Sequence, residues 1–539
     1  MTAEHRYPRA VVLLAAVHFA AWLSIVLLKP MAFLLDDAYY SLTVAANIAA
    51  GRGITYGGFP TNGFQPLYSF LMTPVFAVVD NRMTALRIAL FFGALCSTAA
   101  LFVLYSLARK ITDATSATLA VMLAALSQNL LAHSASGLET PLHALLFLVV
   151  VKRYLDVRSG IATKPGVSLG LLLGLLALAR FDACFVWIAI ALDRFWIHRH
   201  QPKKAFIENL VLFIPATVLV LPWFVWCQIT FGTVMQSSGA FHHWRGMAQQ
   251  HVDYALPGFA IFAAVKLISL AIKLPLEPLF GYEQLVRGPA RLFLGAEKLH
   301  RNFLLQLWEQ KPVIAVALVV FGLAVFAALL LFGRGGLSRM RSSAGLLWLW
   351  PALFGAALYY PLIQINYSMR HFYAFSVLLS IPVAAFLAGL LRLPNEPAHI
   401  TDKRKLALLV VLAVLLFRCG PLDPKHPASN PYGFARITEI RAHTPVGARI
   451  GYSDSGFYGY FLTKRTVVNL DGILNFDAQE AMKHNQLADY LRQARVDYVL
   501  ALDNFHNEWK TQFEQALPVL VPPSGDDPDY LYKVKSAGE

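Results

Sequence analysis

The sequence predicts an all-α polytopic membrane domain, followed by a small α/β domain outside the bilayer. Of the 539 residues, 57% are hydrophobic and 14% are charged. A soluble domain is about half apolar and about a quarter charged. The shortage of charge is the sharper signal, because surface that faces lipid tolerates few charged side chains. Long apolar runs that recur along the chain therefore indicate membrane spans rather than several soluble domains.

About eleven apolar runs are predicted to cross the membrane, although some of them are short. They lie at 11–29, 85–108, 114–133, 138–152, 167–179, 183–197, 206–229, 312–333, 343–363, 371–392 and 405–419. The first is interpreted as an uncleaved span rather than a signal peptide, because more spans follow it. Basic residues at both outer ends of 167–197 favour two short helices that turn at Arg180-Phe181-Asp182.

The net charge of +14 comes from short basic clusters between the spans, so we exclude a nucleic-acid partner. The clusters lie at 6–9, 109–110, 152–164, 194–204, 334–341 and 392–405. All of them fall on one side of the bilayer if the N-terminus is cytoplasmic. The loops 30–84 and 230–311 and the C-terminal tail are then predicted to lie on the opposite side.

Composition divides the chain near Gly420, where Pro, Asp, His and Asn become more frequent. We therefore predict a transmembrane domain over 1–419 and an extracytoplasmic α/β domain over 420–539. In the tail, short strands are predicted at 448–454, 466–472 and 496–502, with a helical pattern over 478–494. The apolar stretches 64–80 and 255–275 are interpreted as helices lying along the membrane interface.

Two adjacent carboxylates, Asp36 and Asp37, directly follow the first span. Charged side chains at the edge of the membrane cost free energy, so their presence there indicates a function. The favoured interpretation is that Asp36 is a general base and that Asp37 tunes it. A helix N-cap for residues 38–50 is the structural alternative. A metal site is not expected, because no nearby His or Cys completes a ligand set, and no cofactor is predicted.

Several segments carry motifs known from one superfamily. They are DDAYYSLTVAANIAAGRGITY (36–56), PTNGFQPLYSFL (60–71), ASGLETPLHALL (135–146), LALARFDACF (176–185), PWFVWCQITFGTVMQSSG (222–239), GARIGYSDSGFYGYF (447–461) and TVVNLDGILN (466–475). The first two look like the first external loop of bacterial GT-C glycosyltransferases, which use polyprenyl-phosphate sugars. The last two resemble the external domain often fused to them. The arabinofuranosyltransferase-like and mannosyltransferase-like branches are the most similar.

This resemblance implies an inverting glycosyltransferase in the bacterial cytoplasmic membrane. The donor would be a polyprenyl-phosphate sugar, and the acceptor a hydroxyl of a glycan, lipid or protein on the outer face. Glu139 would be an active-site carboxylate, although charge at a helix N-terminus is an alternative. Arg180 and Arg370 would bind the donor phosphate. The alternatives are that Arg180 pairs with Asp182 and that Arg370 extends to the interface.

Four further residues are candidate substrate ligands: Asn62, Gln65, His242 and Tyr373. Asn62 and Gln65 close the first external loop and are able to hydrogen-bond a sugar, although Asn-Gly is also a turn signal. A transporter or flippase for a lipid-linked or polar solute is the alternative function, because charges near a membrane also line transport paths. A transporter is expected to carry its polar groups near the midplane, in repeated halves. Here they gather at one surface, which favours the enzyme.

Overall fold

The computed structural model describes residues 7–160, 166–249, 344–360, 368–397, 402–417, 430–502, 519–521 and 529–534, with short pieces between 266 and 279 and the single residues 340 and 400. The helices before the first large gap are α1 (Arg9–Leu28), α2 (Asp36–Ala49), α3 (Pro66–Val78), α4 (Arg82–Ile111), α5 (Ala114–Leu126), α6 (Gln128–Ser134), α7 (Thr140–Arg158), α8 (Val167–Ala179), α9 (Cys184–Ile197), α10 (Pro202–Phe231) and α11 (Ser237–Gln249). Those after it are α12 (Ala344–Leu347), α13 (Trp350–Leu358), α14 (Tyr373–Leu390), α15 (Lys403–Phe417), α16 (Pro431–His443), α17 (Gly456–Phe461), α18 (Phe476–Lys483) and α19 (Leu487–Gln493).

Four of the described helices are long and apolar enough to cross a membrane: α1, α4, α10 and the segment Met369–Leu390. Helices α5 and α6 make a fifth if they are one broken span. The chain is thus a membrane protein, while the number of eleven spans stays a prediction. The predicted span 312–333 lies outside the described residues, as does most of 255–275. Residues 66–78 do form the helix α3, and its position along the interface remains a prediction.

One predicted span is bent rather than straight. The run 114–133 breaks at Ser127, and α5 and α6 meet there at 60°. The Ser127 hydroxyl accepts a hydrogen bond from the backbone N–H of Leu130, so it caps the N-terminus of α6 and begins a new helix. The apolar pattern continues through this point, so the bend could not be predicted from the sequence.

The membrane helices pack into one bundle. Helix α4 packs against α1, α5 and α7, while α8 packs between α7 and α10. Their shared interior is made of small and aliphatic side chains, including Ala117, Leu123 and Leu173, which are fully buried. Apolar side chains such as Ile214 and Val218 on α10 are exposed instead. An exposed apolar stripe on a long helix is the surface expected to contact lipid.

A hairpin of β1 (Thr55–Tyr56) and β2 (Phe59–Pro60) lies in the first loop. The tail contains a mixed five-stranded sheet made of β3 (Arg449–Tyr452), β4 (Thr466–Asn469), β5 (Tyr498–Leu502), β6 (Val519–Val521) and β7 (Asp529–Lys533). The strand order in this sheet is β4-β3-β5-β7-β6. Strand β3 pairs in parallel with β4 and β5, and β7 is antiparallel to β5 and β6. Strands β3, β4 and β5 coincide with the three predicted ones, whereas β6 and β7 were not predicted. The predicted helix over 478–494 is two helices, α18 and α19.

Candidate active site

A cavity of about 300 Å³ lies where the first loop, the α6–α7 turn, the α8–α9 turn, α11 and the segment before α14 meet. Its wall includes Asp37, Glu139, Arg180 and Arg370, and the tail adds Ile473. The volume is at the small end of the range for ligand pockets, which is about 300–1,000 Å³. Gln65 and His242 also line it, so the cavity brings together six of the nine residues that were predicted to form the site.

Gly137 lets two of these segments come close to each other. It has a φ of +78°, and a side chain there would meet the Leu34 side chain at 2.3 Å. Its carbonyl accepts a hydrogen bond from the Tyr68 hydroxyl at 2.9 Å, and the Leu35 N–H donates to the Ser136 carbonyl at 3.2 Å. These contacts hold the turn that carries Glu139 against the start of α2. Only glycine adopts this backbone conformation without strain.

Asp37 lies in the first turn of α2 and faces the cavity. Its Oδ2 accepts a hydrogen bond from Nη2 of Arg370 at 2.5 Å. Burial alone would raise the pKa of this carboxyl, but the Arg370 guanidinium reverses that effect and holds the pKa below its ordinary value. Asp37 is thus an ionised carboxylate that is 37% exposed in the cavity.

Asp36 points away from the cavity, which its side chain does not line. Its Oδ2 and Oδ1 accept hydrogen bonds from the backbone N–H groups of Gly456 and Phe457, each at 2.8 Å. Burial raises the pKa of Asp36 to about 7, against the opposing effect of these two N–H groups. The geometry differs from the arrangement expected from the sequence: Asp36 bonds to the tail, and Asp37 rather than Asp36 faces the cavity.

Arg180 lies in the α8–α9 turn, and hydrogen-bond acceptors from three segments of the chain surround it. Its Nη1 donates to Glu139 Oε1 at 3.0 Å, and its Nη2 donates to Asp182 Oδ2 at 3.1 Å and to the Tyr360 hydroxyl at 2.8 Å. The Tyr360 hydroxyl also donates to Asp182 at 2.7 Å. Two carboxylates thus share one guanidinium, so the positive charge of Arg180 is already balanced without a phosphate. The structural alternative weighed from the sequence is the better account of Arg180.

We expect Arg180→Gln to destabilise the protein by about 3–5 kcal/mol, because it leaves two buried carboxylates without a cation. Thermal unfolding in detergent is the measurement. The double variant Arg180→Gln/Asp182→Asn removes one of those charges, so it is expected to recover part of the stability and to keep donor binding. A stable double variant that has lost donor binding would instead assign the phosphate to Arg180.

Two of the predicted substrate ligands, Asn62 and Tyr373, have other roles. The Asn62 side chain donates to the Met235 carbonyl at 3.1 Å and accepts from the Ser237 N–H at 3.0 Å, and it is fully buried. It therefore joins the first loop to α11 rather than lining the cavity. Tyr373 is also buried outside the cavity, and its hydroxyl bonds to Ser97 and Ser134. Both predictions of sugar contact are corrected by this geometry.

Gln65 and His242 do line the cavity. The Gln65 Oε1 is buried and makes no hydrogen bond within the described part of the chain, so it is available to a ligand hydroxyl. His242 comes from α11 and contributes to the electrostatic environment of Asp37. These two residues remain predicted substrate contacts.

Tyr360 and Ile473 also line the cavity, and neither residue was predicted from the sequence. Tyr360 follows Tyr359 directly after α13 and stacks on His371 with ring centroids 4.4 Å apart. A tyrosine pair at the end of an apolar run gives a weak signal, since such residues are common at membrane interfaces. Ile473 reaches the cavity because the Ser237 hydroxyl donates to its carbonyl at 2.6 Å. Its position depends on how the tail packs, so no local signal was available.

Within the described ranges, no three His, Cys, Asp or Glu side chains come together as they would around a metal ion. The prediction that no metal is used stays untested, since this observation covers only part of the chain.

Residues 63–226 match the family model described as dolichyl-phosphate-mannose-protein mannosyltransferase, and residues 430–532 match a domain of unknown function, DUF8728. The first match confirms, over its part of the chain, the GT-C resemblance seen in the loop motifs. No curated protein matches the chain in sequence.

Several solved structures are similar to the chain, including the following three. ArnT from Cupriavidus metallidurans bound to undecaprenyl phosphate has 14% sequence identity, with 98% of each chain covered and a TM-score of 0.47. The same protein in the apo state has 15% identity, 97% of each chain covered and a TM-score of 0.44. The arabinofuranosyltransferase AftD from Mycobacteria has 15% identity and a TM-score of 0.44, with 99% of this chain and 40% of that chain covered. This similarity is too distant to identify a substrate.

Proposed function

We propose that this chain is an inverting glycosyltransferase that moves a sugar from a polyprenyl-phosphate donor to a hydroxyl acceptor at the outer face of the cytoplasmic membrane. One observation carries the proposal: an ionised carboxylate, Asp37, and a cation, Arg370, face the same small cavity. A base for the acceptor and a cation for the leaving phosphate are the two groups that this reaction needs.

In this mechanism Asp37, rather than Asp36, takes the proton of the acceptor hydroxyl as its oxygen attacks the anomeric carbon. The lipid phosphate leaves from the opposite face and is neutralised by Arg370. A single displacement inverts the anomeric centre, and it needs no carboxylate nucleophile, unlike a retaining glycosidase. Glu139 and Asp182, both fixed by Arg180, are placed to accept hydrogen bonds from sugar hydroxyls.

The small volume of the cavity supports a compact headgroup, a sugar and its phosphate, with the polyprenyl chain outside among the lipids. The pattern of basic clusters supports a cytoplasmic N-terminus and an external tail. The acceptor is a glycan, a lipid or a protein.

The test uses sealed membrane vesicles of both orientations, given a panel of short-chain polyprenyl-phosphate sugars. We expect release of lipid phosphate only in vesicles that present the tail to the medium, and only with a subset of the sugars. Vesicles carrying Asp37→Asn protein are the matched control. Movement of intact lipid-linked sugar across the membrane without release of lipid phosphate would indicate the alternative function, a flippase.

A further inference from the structure

The two arginines of the cavity differ in how many of their N–H donors already have an acceptor. Arg180 donates to Glu139, Asp182 and Tyr360, so each side of its guanidinium has an acceptor. Arg370 donates to Asp37 through Nη2 alone among the side-chain contacts of the described residues. An arginine fork has five N–H donors, and most of those on Arg370 therefore remain available to a second anion.

The backbone at Arg370 is fixed, whereas its side chain has room to change partner. The residue lies in the short 3-10 helix Met369–Phe372, which is capped by the Ser368 hydroxyl. The next residue, His371, is held by its stacking on Tyr360. The Arg370 side chain remains 17% exposed at the cavity wall. A long flexible side chain on a rigid support is able to swing without moving the rest of the site.

We infer that Arg370 exchanges anions during each turnover: it pairs with Asp37 in the resting enzyme and with the donor phosphate in the complex, and this exchange releases the Asp37 carboxylate to act as the base. The inference rests on the proposed function. A phosphate presents several oxygens to the guanidinium fork and is the stronger competitor for it. The donor thus converts a neutralised carboxylate into a competent one, since loss of a cationic neighbour makes a carboxylate more basic.

The charges balance through the step. The acceptor O–H gives its proton to Asp37, and its oxygen forms the new bond to the anomeric carbon. The bond from that carbon to the phosphate oxygen breaks, and its electron pair stays on the phosphate, which Arg370 neutralises. Protonated Asp37 no longer attracts Arg370, so the arginine stays with the leaving group. After Asp37 loses the proton to water and the lipid phosphate departs, the original ion pair forms again.

The exchange also links the state of Asp37 to occupancy of the site. Without a bound donor, Asp37 is held in the ion pair with Arg370. Activation of an acceptor is therefore tied to the presence of the phosphate that must leave.

The test reads the state of Asp37 without turnover. A water-soluble carbodiimide with an added amine labels protonated carboxyl groups, and mass spectrometry of the peptide that contains Asp37 quantifies the label. Full-length wild type and Arg370→Gln are labelled side by side, with and without undecaprenyl phosphate as the probe. The exposed carboxyl of Asp489 is the internal reference, and Asp37→Asn gives the baseline. The readout is the ratio of wild-type labelling, with or without lipid, to the labelling of lipid-free Arg370→Gln, in which Asp37 has lost its cationic partner. Shielding by the lipid lowers this ratio, so shielding does not produce the expected rise.

We expect this ratio to be well below one without lipid and to rise towards one when the lipid is bound. Arg370→Lys serves as the second variant if Arg370→Gln does not fold, and its labelling is expected to be intermediate. Inorganic phosphate at the same concentration distinguishes a free anion from the lipid, and it is expected to give the smaller rise. A ratio that stays constant although the lipid binds overturns the exchange alone. Failure of the lipid to bind at all counts against the proposed function itself.

Discussion

Asp37→Asn is expected to lower the rate of sugar transfer by about a hundred- to ten-thousand-fold, the usual loss when a general base is removed. The amide keeps the shape of the side chain but does not take a proton. Donor binding is expected to be retained or to become tighter, because Arg370 loses its competing carboxylate. Single-turnover release of lipid phosphate measures the first effect, and titration with undecaprenyl phosphate measures the second.

Asp36→Asn is the matched control, since it is the same substitution one residue earlier. The side-chain amide has one oxygen, so one of the two buried N–H groups, of Gly456 or Phe457, loses its acceptor. We therefore expect a loss of about 1–3 kcal/mol in the free energy of unfolding. The protein that remains folded is expected to keep most of its turnover. If Asp36→Asn abolishes turnover at unchanged stability while Asp37→Asn remains active, the base is Asp36, as the sequence alone suggested.

The sequence does not predict which of the two aspartates, Asp36 or Asp37, faces the cavity. Successive residues of a helix point about 100° apart, so one of the pair faces the cavity and the other faces elsewhere. Which is which depends on Gly456 and Phe457, more than 400 positions later in the chain. The sequence pattern singles out the carboxylate pair, but only tertiary packing gives its two members different surroundings.

The same reasoning applies to the fold. Apolar runs predicted the helices well, because burial in lipid needs long apolar segments whatever their neighbours are. The bend at Ser127 escaped notice, because a single hydroxyl that caps a helix does not interrupt an apolar pattern. Strands β6 and β7 escaped as well. They have three and five residues, and paired strands of that length are specified by their neighbours more than by their own sequence.

The tail contacts α2 closely, and glycine makes this contact possible. Helix α17 packs against α2, and the Tyr56 hydroxyl donates to the Ser455 carbonyl at 2.6 Å. A Cβ atom placed on Gly456 would lie 2.3 Å from the Asp36 carbonyl oxygen and 2.6 Å from its carboxylate. The tail is therefore seated on the same turn of α2 that presents Asp37 to the cavity.

Gly456→Ala is expected to lower the free energy of unfolding by about 1–3 kcal/mol. The new methyl group would overlap the backbone of Asp36, so the tail and α2 must move apart. It is also expected to reduce turnover strongly, since the shift displaces the first turn of α2 and with it Asp37. Thermal unfolding measures the first consequence and single-turnover transfer the second, while limited proteolysis shows whether the tail has moved from α2. Gly166→Ala is the matched control, because the nearest atom to its new Cβ is 3.8 Å away. If both variants behave alike, the tail is an appendage, and Asp36 has no influence on the orientation of Asp37. If only Gly456→Ala loses transfer while its membrane helices remain folded, then docking of the tail is part of what positions the base.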